Sequence, residues 1–293
     1  MEYLMTYGWS VLIIAVIVVA LFSLGTFNAS NLGPKATVGS CQVVKTIQGA
    51  SLAGQCNGEV PNYVAQFDGK TSYILLPSAG FAYPKSGSIN NYQLTVSAWF
   101  KTSQDGLIFA QDDGTDPNGS PSGWVPAIYI DTGGLIRTSV FWHGAVSYQV
   151  VSSGVYNTGT WHNIIDVVSN NVETTYVDGK SIGSRSDPEN GYSSKYNYFI
   201  GTGYANSWPS AGSPWFYFNG LIANVQVYNT SLTQSEIQAL YLEGIGGVPV
   251  EPQYIIGWWP LNGNAQDYSG NGNDGVPVSV TYNSTWMSSY YAP

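Results

Sequence analysis

Asp112, Asp113, Asp116 and Asn118 crowd into one short stretch, "DDGTDPNGS". Oxygen donors at this spacing can hold Ca2+. No Glu follows at the twelfth position of an EF-hand, and Asp and Asn also favour loops for their own backbone hydrogen bonds. Both readings stay open, and "DYSGNGNDG", with Asp267, Asn271, Asn273 and Asp274, poses the same choice. Hydrolysis of a glycosidic bond needs two carboxyls flanking that bond. The chain has no Glu-x-Asp-x-x-Glu, and the strand-borne acids Asp166, Glu173 and Asp178 lack that spacing. His143 and His162 are its only histidines, and the Trp161-His162 pair reads as packing. No Ser–His–Asp pattern, phosphate loop or zinc motif occurs. The expectation is a protein that is not an enzyme and requires no cofactor, with Ca2+ the one ion its loops suggest.

Four tryptophans, Trp124, Trp142, Trp208 and Trp215, fall in or beside loop-like segments. Their faces can stack on sugars, cover a sandwich or fill contacts between subunits. Asn28, Asn118, Asn229 and Asn283 each head an Asn-x-Ser/Thr acceptor for glycans. The two cysteines, Cys41 and Cys56, have fourteen residues between them. A disulfide there would close a loop worth about 3 kcal/mol. A metal site on the same pair lacks further Cys or His ligands nearby.

These residues need a scaffold, and composition points to strands. The chain of 293 residues holds 34 Gly, 22 Tyr and 10 Trp, with only 9% charged residues. Strand and turn formers dominate, so mostly β structure is expected after residue 60. Net charge is −9. Binding a phosphate backbone takes clustered cations, and none are clustered here, which excludes nucleic acid as a partner.

The first segment differs. Leu4 to Leu24 contains no charge. As a helix it would span roughly 30 Å, the thickness of a bilayer's hydrocarbon core. The acidic start and the indifferent "SLGTFNAS" fit a cleaved secretory signal poorly. "MEYLMTYGWSVLIIAVIVVALFSLG" resembles the N-terminal helix of archaeal type IV pilins. The resemblance implies a subunit stored in the membrane and then packed, helix inward, into a helical homopolymer. Glu2 would neutralise a neighbour's N-terminal ammonium during assembly, with Tyr3, Tyr7, Gly8 and Trp9 completing the assembly motif. The rival is a plain anchor with Glu2 at the headgroups. The chain starts one residue before Glu2 and departs from the family's pattern by showing no basic leader, so the position of the mature N-terminus stays open on this reading. Localisation on this reading is an extracellular filament, reached through the membrane.

After a neck over residues 28–61, where the Cys41–Cys56 disulfide would fall, short alternating segments follow one another. "FDGKTSYILLP", "LTVSAWFKT", "GTWHNIIDVV", "TTYVDGKSIG" and "FNGLIANVQVYNTSLTQSEIQALY" resemble the laminin-G-like, concanavalin A-like jelly rolls. Within the last of these, "TSLTQSEIQALYLEG" is helical, with Ser231 or Thr233 as cap and Gly244 as stop. "GWWPLNGNAQDYSGNGNDGVPVSVTY" looks like the segment that usually begins such domains, displaced to the end. Residues 254–286 are expected to complete the domain's own sheets, the alternative being donation to a neighbouring subunit. The expected fold class is therefore a long hydrophobic N-terminal helix (1–27), then a concanavalin A-like antiparallel sandwich (62–293) with a circularly permuted-looking C-terminal strand segment. The expected role is a pilin whose lectin-like head meets a glycan or surface receptor. The alternatives are a membrane-anchored adhesin that does not polymerise and, behind it, a surface glycosidase.

Overall fold

The alternation written into the chain after residue 60 becomes two stacked sheets. A computed structural model describes residues 41–46, 49–53, 60–77, 93–114, 116–139, 149–170, 172–186 and 196–293, all within the unit that starts at Val38. The hairpin β1 (Gln42–Thr46) and β2 (Gly49–Ala53) comes first. Next are β3 (Val64–Asp68), β4 (Tyr73–Leu76), β5 (Gln93–Thr102), β6 (Gly106–Asp112), β7 (Trp124–Ile130) and β8 (Leu135–Thr138). They lead to β9 (Val150–Val155), β10 (Trp161–Ser169), β11 (Val172–Val177), β12 (Lys180–Ser186), β13 (Asn197–Ile200) and β14 (Asn219–Tyr228). Helix α1 (Gln234–Leu242) separates these from β15 (Ile255–Trp259), β16 (Val276–Val278) and β17 (Thr281–Asn283).

One sheet runs β12-β11-β10-β5-β14-β3-β17, with β15 also on β14; the other runs β16-β4-β13-β6-β7-β8-β9. We call them the front and back sheets. Between them lie Phe67, Phe100, Phe109, Tyr129, Phe199, Ile222 and Trp259, all but excluded from solvent. Burial of this apolar face is what makes the alternation fold. Turn chemistry sets the register locally. Asp178 and Gly179 both take positive φ, 50° and 72°, as a two-residue hairpin with right-handed strand twist requires. Asp68-Gly69 acts differently. The Asp68 carboxylate accepts the N–H groups of Lys70, Thr71 and Ser72 and bends the chain from the front sheet at β3 to the back sheet at β4. Burial alone would raise its pKa, but those donors and the Thr71 hydroxyl outweigh it and hold the carboxyl well below the usual range.

The last strands lie in both sheets. β16 pairs with β4, β17 with β3, and β15 with the second half of β14. The edge of β14 changes partner from β3 to β15 at Asn224, whose φ is 48°. The Asn224 amide anchors that kink. It donates to the Gly247 carbonyl and accepts from the Gln226 amide and the Trp258 indole. On the outer side of the front sheet, Val43 of β1 packs with Ile165, Tyr228, Ile237, Leu240 and Trp258. Trp99, Trp161, Ile245 and Trp286 form a second outer cluster, joined by Tyr241 and Tyr290.

The expected fold class is corrected to a mostly β jelly roll with one short helix. Among the described residues α1 is the single α-helix, and no helix is long and apolar enough to cross a membrane. Its nine residues rise only about 13 Å, under half a bilayer core. The hydrophobic helix expected over 1–27 lies outside the described residues. Of the two candidate caps, Thr233 is the one used: it accepts from the Glu236 N–H while Glu236 accepts from the Thr233 N–H, a capping box. Gly244, at φ 75°, follows the helix end.

Candidate functional site

The acidic loop leaves β6 at Asp112 and returns at β7. It is closed at its base by the Asp113 N–H to the Gly123 carbonyl, 3.0 Å. The side chains of Asp113 and Asp116 turn back on the loop. Asp113 Oδ1 accepts from the Ser122 N–H (2.8 Å) and Asp116 Oδ1 from the Asn118 N–H (3.2 Å). Trp215 meets this loop from the other side, its indole N–H donating to the Gly119 carbonyl at 2.7 Å. Together they line an open cleft of about 380 Å3, with Ser120 and Ser122 adding hydroxyls. Tyr204 stands behind it. Its ring lies edge-on to Trp215 (5.3 Å) and to Trp124 (5.0 Å), and its hydroxyl bonds Ser120 Oγ at 2.9 Å. A half-buried indole beside exposed hydroxyls and carboxylates offers one apolar face and a polar rim, the surface a sugar ring presents in mirror form.

The loop's acidic side chains are engaged with its own backbone. Its carboxylates cap backbone N–H groups, and among the described residues no three Asp, Glu, His or Cys side chains gather closely enough to hold an ion. Asp112 is fully buried and accepts from the Gly114 N–H at 2.9 Å. Burial pushes its carboxyl up to about 7 against the pull of that N–H, with the charge of Asp113 adding to the rise. It supports the loop from below and does not face the cleft. In "DYSGNGNDG" the carboxylate of Asp267 likewise accepts from the Ser269 and Asn273 N–H groups.

The other candidates scatter. Trp208 is 8% exposed and belongs to the main core, so its face is unavailable for stacking. Trp124 backs the cleft through Tyr204 and does not line it. Asn118 and Asn229 are exposed, and Asn283 is half-buried on β17. Trp142, Cys56, Asn28, Glu2, Tyr3, Tyr7, Gly8 and Trp9 lie outside the described residues. Cys41 is not a free thiol. Nothing in the loop's own sequence pointed to Tyr204, because it lies 84 residues beyond Ser120 in the chain.

Two further groups of acidic side chains lie away from this cleft. Asp166 and Glu173 are each 1% exposed between the sheets, where no glycosidic bond can reach them. His162 joins Asp178 at 2.8 Å and the hydroxyls of Thr158 and Thr160 at 2.9 and 3.2 Å. That order of carboxylate, imidazole and hydroxyl is the order of a nucleophilic triad. Here the ring is packed against Phe100 and Tyr156, and Asp178 also accepts the Asn163 N–H. The arrangement ties the β11–β12 turn to β10.

Two antiparallel sheets closed on one apolar core, with a tryptophan-lined cleft at their rim, define a jelly-roll domain. The chain belongs to the concanavalin A-like lectin/glucanases superfamily, whose Laminin_G_3 signature matches residues 68–238, more than half of its length. No curated protein matches it in sequence. Among solved structures it is similar to a protein of Bacteroides ovatus provisionally named a carbohydrate binding protein, with TM-score 0.50 and 14% identity over 82% of this chain. The chain spans 65% of that protein's length. A heptameric SAP-like pentraxin from Limulus polyphemus aligns with TM-score 0.44 and 15% identity, over 77% of this chain and 97% of its own. Domain 4 of the arabinanase AbnA from Geobacillus stearothermophilus aligns with TM-score 0.38 and 18% identity, over 68% and 80%. At these identities the likenesses establish the fold alone.

Proposed function

We propose that this jelly roll is a non-catalytic carbohydrate-binding domain that takes a saccharide at the cleft beside Trp215. The observation that carries the reading is the meeting of one half-buried indole with the hydroxyl- and carboxylate-rich loop in a single open cleft. Membership of a lectin/glucanase superfamily and the name of the similar Bacteroides ovatus protein support it. The burial of Asp166 and Glu173 away from any cleft supports binding over hydrolysis. A glycan array probed with the full chain should show a defined set of ligands, with no release of reducing sugar from them. Trp215→Ala should weaken binding at least about 10-fold, or about 1.4 kcal/mol, with an unchanged Tm. Undiminished binding by that variant would remove the site from this cleft.

A second feature favours display on a filament. Residues 1–25 resemble archaeal type IV pilins, and this likeness supports a structural subunit that carries the lectin-like domain outside the cell. The absence of a free thiol at Cys41, as pairing with Cys56 would give, suits an oxidising exterior. Antibody against residues 60–293 should label filaments sheared from native cells. Label confined to the membrane fraction would favour a tethered adhesin.

A further inference from the structure

The front sheet carries a second cleft that the acidic loop does not touch. β17, β3, β14 and β5 set Thr281, Gln66, Leu221 and Lys101 side by side on the outer face. The aromatic cover around Trp286 leaves part of this row open as a cleft of about 340 Å3, near the lower end for ligand sites. Four carboxamides wall it. Asn283 Nδ2 donates to Gln66 Oε1, and Asn219 Nδ2 donates to Gln104 Oε1, each at 3.0 Å. Each pair uses one N–H and one oxygen. The Gln66 and Gln104 amide nitrogens and the Asn219 oxygen are left to meet a ligand. The floor is backbone at Gly220, where a Cβ would stand 2.2 Å from the Lys101 carbonyl oxygen. Among the described residues no carboxylate lines the cleft, although the chain carries a net charge of −9.

We propose that this cleft binds one neutral, hydroxyl-rich sugar unit without a metal ion. Amides offer donors and acceptors in pairs, and a sugar hydroxyl both donates and accepts. A phosphate or sulfate would call for clustered cations or a bidentate Arg, and Lys101 is the one cation among the described lining residues. The sugar can come from two sources. One is a separate glycan. The other is the chain itself, because Asn283 heads the acceptor Asn283-Ser284-Thr285. The Thr285 hydroxyl donates to Asn283 Oδ1 at 3.0 Å, while the acceptor nitrogen forms part of the cleft wall. The proposal does not rest on the Trp215 cleft.

The test uses the full chain made in a host that adds no N-glycans. Neutral trisaccharides of glucose, mannose, galactose and arabinose are titrated in at millimolar concentration, with NMR following the side-chain amides of Gln66, Gln104, Asn219 and Asn283. Expected are shifts of these amides with at least one sugar. They should persist in EDTA and in Trp215→Ala, and weaken at least about 10-fold in Gln66→Ala/Asn219→Ala at an unchanged Tm. If the amides of the native-host chain are unresponsive and its Asn283 peptide carries a sugar by mass spectrometry, the chain's own glycan is the occupant. An unglycosylated chain whose four amides stay unmoved by every sugar overturns the proposal. So do shifts confined to residues 113–122 and Trp215, which would leave the first cleft as the binding site.

Discussion

Arg185→Met should lower the unfolding free energy by about 3–5 kcal/mol, and with it the Tm by roughly 10 °C. Arg185 reaches inward from β12 to Glu173, with its Nε 2.9 Å from Oε2 and an Nη group at 2.5 Å. Glu173 and Asp166 lie between the sheets, each 1% exposed. Thr175 donates to Asp166 Oδ1 at 2.6 Å, and its hydroxyl meets that of Thr138 across the sandwich at 2.6 Å. Two carboxyls thus share one cation. Burial pushes the Asp166 pKa well above the usual carboxylate range, and the neighbouring charge of Glu173 adds to this. Asp166 therefore holds a proton in the folded chain that it gives up more readily in the unfolded one. The stability from that proton is complete below the unfolded pKa, about 3.9, and is lost as pH rises through the folded value. Chemical denaturation across pH 4 to 9 checks both points. The wild type should lose stability towards alkaline pH, and Asp166→Asn should flatten that loss while keeping the fold. An Arg185→Met variant within about 1 kcal/mol of wild type would show that the carboxyls do not depend on the guanidinium.

Trp259→Ala should cost about 3–5 kcal/mol. Trp259 sits on β15, opposite Val225 of β14, and has no exposed surface. Its indole N–H donates to the Asn273 carbonyl at 2.9 Å, so truncation opens a cavity and strands a buried acceptor. Trp259→Phe keeps a ring without the N–H and should fall between wild type and Ala. The measurement is urea unfolding followed by circular dichroism. It bears directly on the C-terminal segment, because the ring of residue 259 contributes to stability only if 255–283 belong to the cooperative unit. A cost below about 1 kcal/mol would place that segment outside the cooperative unit.

Local chemistry carried much of the fold in the sequence. Asp178-Gly179 can close a tight hairpin wherever it stands, because both residues tolerate positive φ. The Thr233–Glu236 capping box and Gly244 delimit α1 within one short stretch. The strands of the sandwich were legible as short runs of strand formers between turn residues, although the central ones are buried almost throughout, and the sequence likeness over "FDGKTSYILLP" to "EIQALY" pointed to their family. Tertiary structure decided the rest, since it brings together residues whose order along the chain says nothing of their distance. Trp208 and Trp215 look alike in sequence. One is buried in the main core, while the other lines a cleft because the Gly119 carbonyl holds its indole there. Asp166 and Glu173 become neighbours only through the register of β10 on β11. Gln66 and Asn283, far apart along the chain, meet only because β17 returns to β3. Periodicity and turn residues act over a few bonds and can be read in order. Clefts, shared protons and stacking faces depend on which strands become neighbours, and burial of the common apolar core makes that choice.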